Sequence, residues 1–134
     1  MKNIWVNGCF DIVHLGHIRL LGYAKSLGDF LIVGIDGDSR VKKIKGEERP
    51  INNQSFRKEF LESLESVDRV EVFHSDLELE NLIQYHKINT MVVGEEYLPD
   101  QIIGAKFADR VERFPKLDDL STTNLLKNAS SRTT

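Results

Sequence analysis

Asn7-Gly8-Cys9-Phe10-Asp11-Ile12-Val13-His14-Leu15-Gly16-His17 is the stretch whose reading decides the fold of this chain. It follows a short apolar strand pattern, Ile4-Trp5-Val6, and leads into a stretch of helical spacing. Two histidines three residues apart at a helix start can turn both imidazoles toward one ligand. The free N–H groups and the dipole of that helix start point at the same spot. Gly16, lacking a Cβ, lets an anion or a nucleobase approach the backbone. Such a site suits a phosphate chain. Two ordinary surface histidines are the plain alternative, and the glycine and the strand-to-loop break weigh against it. Metal coordination with Cys9 as third ligand is a further alternative. No fourth ligand lies nearby in sequence, so no metal site is assigned.

Outward from this stretch, strand and helix patterns alternate. Ile18 to Leu27 reads as a helix, with Leu20, Leu21 and Ala24 inward and Gly28 past its end. Phe30 to Ile35 is a continuous apolar run, the pattern of a strand covered on both faces. Asp38 is expected to cap a short helix through Val41. Gln54 to Leu64 reads as a helix with Phe56, Phe60, Leu61 and Leu64 inward. Arg69 to Phe73 is a strand, Leu79 to Tyr85 a helix, Thr90 to Val93 a strand and Arg110 to Phe114 the last strand. A final helix starts near Ser121. Such alternation predicts an α/β domain with a five-stranded, mostly parallel sheet and helices on both faces. Ligands bind beyond the carboxyl ends of such strands, where strand order reverses. The loops at Asn7 to His17, Asp36 to Asp38 and Gly94 to Tyr97 all fall there. Trp5 reads as core or interface, and His74 and His86 as structural or surface residues.

Composition sets the class. With 134 residues, 40% of them apolar and 29% charged, the chain fits one ordinary globular domain. The expected domain is residues 1–129, with 130–134 a disordered tail. No apolar run is long enough to span a membrane, and the polar residues close to Met1 argue against a signal peptide. Cys9 is the single cysteine, so no intrachain disulfide is expected and a cytoplasmic setting is the simplest reading. Charge is unevenly spread. Arg40 to Lys58 carries seven basic and two acidic residues within a chain of net charge −3. A local basic patch on an acidic chain fits a small anionic ligand better than nucleic acid. A solvated basic loop is the bland reading of the same segment.

His14-Leu15-Gly16-His17 resembles the HxGH signature of nucleotidyltransferases. Gly8-Cys9-Phe10-Asp11, Lys45-Gly46-Glu47-Glu48-Arg49-Pro50-Ile51-Asn52 and Ser121-Thr122-Thr123-Asn124 narrow the resemblance to the cytidylyltransferase-like branch. Within it the chain is most similar to the nucleotidyltransferase domains of ADP-heptose synthases, and more weakly to glycerol-3-phosphate cytidylyltransferases. The resemblance covers about Ile4 to Lys127 and implies a Rossmann-like domain. It also implies transfer of a nucleoside monophosphate from a nucleoside triphosphate to a sugar phosphate, with release of pyrophosphate. ATP and heptose 1-phosphate are the expected substrates; CTP with glycerol 3-phosphate is the alternative. A nucleotide-binding module without turnover is the alternative of another class.

By the same resemblance, His14, His17 and Lys45 are catalytic. Gly8, Cys9, Phe10, Asp11, Gly16, Gly94, Tyr97, Ser121, Thr122 and Thr123 bind the nucleotide. Asp11, Asp38, Lys42 and Arg49 bind the second substrate, with Pro50 stiffening the backbone beside Arg49. For Asp11 a buried salt bridge, and for Ser121 to Thr123 a plain helix cap, are the structural alternatives. Mg²⁺ accompanies the triphosphate. The expected partners are small-molecule substrates, without nucleic acid or membrane. Relatives are often homodimers, and Trp5 or the second helix could contribute to such an interface. Glu95 and Glu96 replace the residues usual before the aromatic position of Tyr97. Leu120 stands where a glycine is usual, and no arginine occurs from Phe114 to Leu120. That missing arginine disfavours CTP. A kinase domain fused in some relatives has no counterpart here, so a separate enzyme is expected to supply the phosphorylated sugar.

Overall fold

The computed structural model of the chain describes residues 1–94 and 102–114. Five strands form one sheet: β1 (Asn3–Gly8), β2 (Phe30–Asp36), β3 (Arg69–Phe73), β4 (Thr90–Gly94) and β5 (Arg110–Phe114). Their order is β3-β2-β1-β4-β5, and every pair is parallel. Among the described residues four helices lie between them: α1 (Leu15–Ser26), α2 (Asp38–Lys45), α3 (Gln54–Glu62) and α4 (Asp76–Tyr85). A 3₁₀ turn at Ala105–Phe107 precedes β5. The expected α/β class and five-stranded sheet are therefore present. The expected final helix, and the boundary and tail near residue 130, lie outside the described residues.

Strand alternation divides the core into two layers. Ile4 and Val6 of β1 join Leu31, Val33 and Ile35 of β2 against Leu20, Leu21 and Ala24 of α1 and Leu61 of α3. Trp5, Ile32 and Met91 point the other way, against Leu79 and Ile83 of α4. Each such side chain removed from water contributes about 1.5–3 kcal/mol, so both layers are needed to offset chain entropy. Trp5 is fully buried and its Nε1 donates to Asn7 Oδ1 at 3.0 Å. It is a core residue and is unavailable to an interface. Gly34 on the neighbouring strand lies under its indole, where any Cβ would collide with the ring.

Several local expectations are corrected. Helix α1 begins at Leu15 rather than near Ile18, because His14 itself acts as the cap. Asp38 is the first residue of α2, not its cap; Gly37 occupies the cap without a side-chain bond. The helix continues past Val41 to Lys45 and ends at Gly46, whose φ of 110° suits glycine. Helix α4 starts at Asp76, where the Ser75 side chain accepts from the Glu78 N–H. In α3, Phe56 and Phe60 are 54% and 40% exposed, while Arg57 is 1% exposed. The helix is rotated so that Arg57 and Leu61, four residues apart, face inward.

Candidate active site

The first turn of α1 is closed by its two histidines. The Gly16 N–H donates to His14 Nδ1 at 2.9 Å, and the His14 N–H donates to His17 Nδ1 at 3.1 Å. This is a reciprocal capping box built from imidazoles in place of Ser and Glu. An Nδ1 that accepts a backbone N–H carries no proton, so the donor remaining on each ring is Nε2–H. The ring centroids are 4.0 Å apart. Burial, then the nearby His14 and Lys45, push the His17 pKa down from 6.5 to about 4. His17 is therefore a neutral hydrogen-bond donor at neutral pH, at the positive end of a helix whose first turn has no acidic residue.

A cavity of about 470 Å³ opens at the carboxyl ends of β1, β2 and β4. This is where strand order reverses, because β1 pairs with β2 on one side and β4 on the other. Gly8, Cys9, Phe10, Asp11 and His17 form its floor. Phe10 has a φ of 52°, a left-handed conformation that costs a non-glycine residue about 1–2 kcal/mol. That turn lays the Phe10 ring over Gly8, where a Cβ would come within 3.1 Å of it. Lys45 and Arg49 supply positive charge to one wall, with Asp36 at the end of β2 and Arg40 in the first turn of α2 beside it. Val92, Val93, Gly94, Ile102 and Ile103 make an apolar wall on the β4 side.

Two buried charged residues hold the floor in place. Asp11 accepts from Arg49 Nε and the Ile51 N–H, both at 2.9 Å, and from the Asn52 N–H at 2.8 Å. Burial alone would raise its pKa, but these backbone donors and the Arg49 guanidinium outweigh burial and hold it below the ordinary value. Arg49 is thus fixed through Nε by Asp11, with its Nη groups left as donors; the Arg49–Pro50 bond is cis. Arg57 donates from Nε to Asn52 O at 2.9 Å and from Nη1 to Cys9 O at 2.9 Å and Asp36 O at 2.7 Å. Its Nη2 donates to Asp38 Oδ1 at 2.8 Å. One buried guanidinium so joins the loop after β1, the end of β2, the start of α2 and the entry to α3.

Most of the expected site residues within the described part of the chain meet at this cavity. Gly8, Cys9, Phe10, Asp11, His17, Lys45, Arg49 and Gly94 line it, with His14 packed on His17 and Gly16 buried in the helix turn. Asp38 and Lys42 do not line it. Asp38 is engaged by Arg57, which needs a counter-charge where it is buried, and Lys42 is exposed on α2. Tyr97, Ser121, Thr122 and Thr123, with Glu95, Glu96 and Leu120, lie outside the described residues. Sequence reasoning placed Asp36 at the ligand-binding end without giving it a role, and it missed Arg40 as a wall residue and Arg57 as the buried tie. The i, i+4 spacing of Asp36 and Arg40 was the available signal for Arg40. Arg57 was counted with the basic patch, and only its spacing to Leu61 hinted at burial. Among the described residues no three His, Cys, Asp or Glu side chains gather as a metal site. No helix among them is long and apolar enough to cross a membrane.

Over 126 residues the chain is 46% identical to the Bifunctional protein HldE of Aliarcobacter butzleri, covering 94% of this chain and 26% of that one. It is 43% identical over 123 residues to the Bifunctional protein HldE of Campylobacter fetus, covering 92% and 27%. The chain thus spans about a quarter of the length of these curated relatives. The crystal structure of the lipopolysaccharide core biosynthesis protein from Thermoplasma volcanium superposes with a TM-score of 0.69 at 25% identity, covering 85% of this chain and 98% of that one. A protein of unknown function from Archaeoglobus fulgidus shares the fold, with a TM-score of 0.55 at 19% identity over 72% of this chain and 70% of that one. A family model described as Cytidylyltransferase-like matches residues 5–128. That match runs from within β1 past the end of β5 and takes in every element that builds the cavity; the chain belongs to the cytidylyltransferase-like family of nucleotidyltransferases.

Proposed function

We propose that this domain transfers adenosine monophosphate from ATP to heptose 1-phosphate and releases pyrophosphate. The observation that carries this reading is the reciprocal histidine cap, which leaves Nε2–H donors at a helix N-terminus beside Lys45 and Arg49. A phosphate oxygen of the sugar attacks the α-phosphorus in line. A new P–O bond forms there as the bond to the bridging oxygen breaks, and pyrophosphate carries off the electron pair. No protein nucleophile is required, so catalysis is positioning and charge stabilisation. His17, neutral and fixed through Nδ1, donates from Nε2 to a phosphate oxygen. Lys45 and Arg49 offset the charge of the triphosphate. Mg²⁺ enters with the triphosphate; the described site residues offer no carboxylate cluster to hold a resident ion.

The heptose assignment is supported by the relatives named HldE and by the related lipopolysaccharide core biosynthesis protein. ATP is favoured over CTP by the missing arginine before Ser121. The decisive experiment measures pyrophosphate release for ATP, CTP, GTP and UTP, each paired with heptose 1-phosphate and with glycerol 3-phosphate. Release is expected with ATP and heptose 1-phosphate. Release only with CTP overturns the nucleotide assignment. Tight nucleotide binding without release under any pairing overturns the enzyme.

A further inference from the structure

The two walls of the cavity differ in chemistry, and the topology puts them on opposite sides of β1. The β4 side is apolar, formed by Val92, Val93 and Ile102 around Gly94. The β2 side presents a carboxylate and a guanidinium, Asp36 and Arg40. Asp36 ends β2, and its backbone is pinned there: its carbonyl accepts from Arg57 Nη1, and the next residue, Gly37, donates its N–H to Phe73 O at 2.9 Å. Its Oδ1 accepts from Arg40 Nε at 2.8 Å. Arg40 in turn reaches Asp76 Oδ1 at 2.7 Å from Nη2 and lies 5.2 Å over the Phe73 ring. Both wall side chains are mostly buried, at 18% and 16% exposure, so neither swings freely.

We infer that Asp36, held by Arg40, binds the hydroxyl groups of the acceptor and so sets the preference for a polyhydroxylated phosphate. This rests on the nucleotidyl-transfer reading above. A carboxylate has about four acceptor positions and Arg40 Nε takes one, so acceptor capacity remains for hydroxyl donors. Arg40 keeps further N–H donors, and a carboxylate beside a guanidinium suits groups that both donate and accept. The same pairing rejects the other acceptor chemistries. The carboxylate repels a phosphate, which belongs at His17, Lys45 and Arg49. The adjacent guanidinium repels an ammonium group, so an amino-alcohol phosphate gains little there. The apolar β4 wall is left to the nucleobase.

The test compares wild type with Asp36→Asn, which keeps the shape and the Arg40 contact but turns one acceptor oxygen into a donor. Pyrophosphate release is followed with the triphosphate that supports turnover, against heptose 1-phosphate, its monodeoxy analogues and phosphoethanolamine. Asp36→Asn is expected to raise the acceptor KM about tenfold to a hundredfold and to leave the triphosphate KM within about twofold. Wild type is expected to lose at least about tenfold in kcat/KM with one monodeoxy acceptor. An unchanged acceptor KM in a variant with wild-type melting behaviour overturns this inference and leaves the transfer reading intact. Should Asp36→Asn fail to fold, the deoxy series on wild type decides, and a loss below about twofold at every position overturns the inference. Preference for phosphoethanolamine overturns it too. Absence of release by wild type with every pairing overturns the transfer reading along with it.

Discussion

His17 Nδ1 lies 3.1 Å from the backbone nitrogen of His14, and that bond fixes which nitrogen of His17 holds its proton. The ring is neutral because burial, His14 and Lys45 all oppose a charge there. Titration followed by NMR should therefore give His17 a midpoint near 4, with Nδ1 unprotonated above it. The sign for stability follows. The folded pKa lies below the unfolded one, so between about 4 and 6.5 the unfolded chain binds more protons. His17 thus makes the fold less stable as pH falls through that window. A bound triphosphate places negative charge nearby and should raise the midpoint. A midpoint at or above 6.5 in the free protein, or an Nδ1–H tautomer, would contradict the assignment.

Arg57 is the next test, because it is a charge buried for the sake of geometry. Its guanidinium makes four hydrogen bonds to the segments that shape the cavity floor. Arg57→Met would leave three carbonyls and the Asp38 carboxylate without their donor. The expected loss is about 3–5 kcal/mol in urea unfolding, near the upper end for a single substitution. Arg57→Lys keeps the charge but not the planar fork and should recover only part of it. A loss below about 1 kcal/mol for Arg57→Met would mean that these segments hold their places without it.

Helices α1 and α3 depart from what their spacing predicts, while the sheet follows it. Parallel pairing and a site at the switch point follow from apolar runs alternating with helical spacing, and the described sheet has both; the strand order itself comes only from the structure. The histidines do stand at a helix start, but the helical spacing is legible only from Ile18, because capping is read from Ser, Thr, Asp and Asn, whereas here an imidazole nitrogen accepts the bond. Phe56 and Phe60 look like an inward stripe by spacing. Spacing cannot tell that four hydrogen bonds repay the burial of Arg57 and turn the helix the other way. For the same reason Asp38 read as a ligand residue, although its carboxylate is needed by that arginine. Partners that lie 19 residues apart in the chain, as Arg57 and Asp38 do, leave no periodic trace.

Asp11 is expected to link stability to nucleotide affinity through Arg49. Its lowered pKa means that it contributes stability above the unfolded carboxylate value and loses it as pH falls through the folded one. Asp11→Asn turns one oxygen into a donor that faces either Arg49 or a backbone N–H. The expected cost is about 1–3 kcal/mol in unfolding free energy. Arg49, released from its anchor, should weaken binding of the triphosphate, measured by titration calorimetry. Wild-type affinity in a folded Asp11→Asn protein would show that Arg49 needs no anchor.

Removing Lys45 and His17 in turn from the phosphate side of the cavity should separate binding from turnover. Lys45 lies on the cavity wall at the end of α2, and its charge acts on His17. Lys45→Ala deletes a flexible point charge and should weaken triphosphate binding as well as lower kcat, with its effect shrinking as salt rises. His17→Ala removes the Nε2–H donor proposed to meet the transferring group, along with one capping bond worth about 1 kcal/mol to the helix. Turnover should fall by roughly two to four orders of magnitude with little change in nucleotide affinity, because the contact strengthens only as charge builds at the α-phosphorus. Circular dichroism separates this from unfolding. A folded His17→Ala protein that turns over near the wild-type rate would remove the histidine from the chemistry and leave it only the cap of α1.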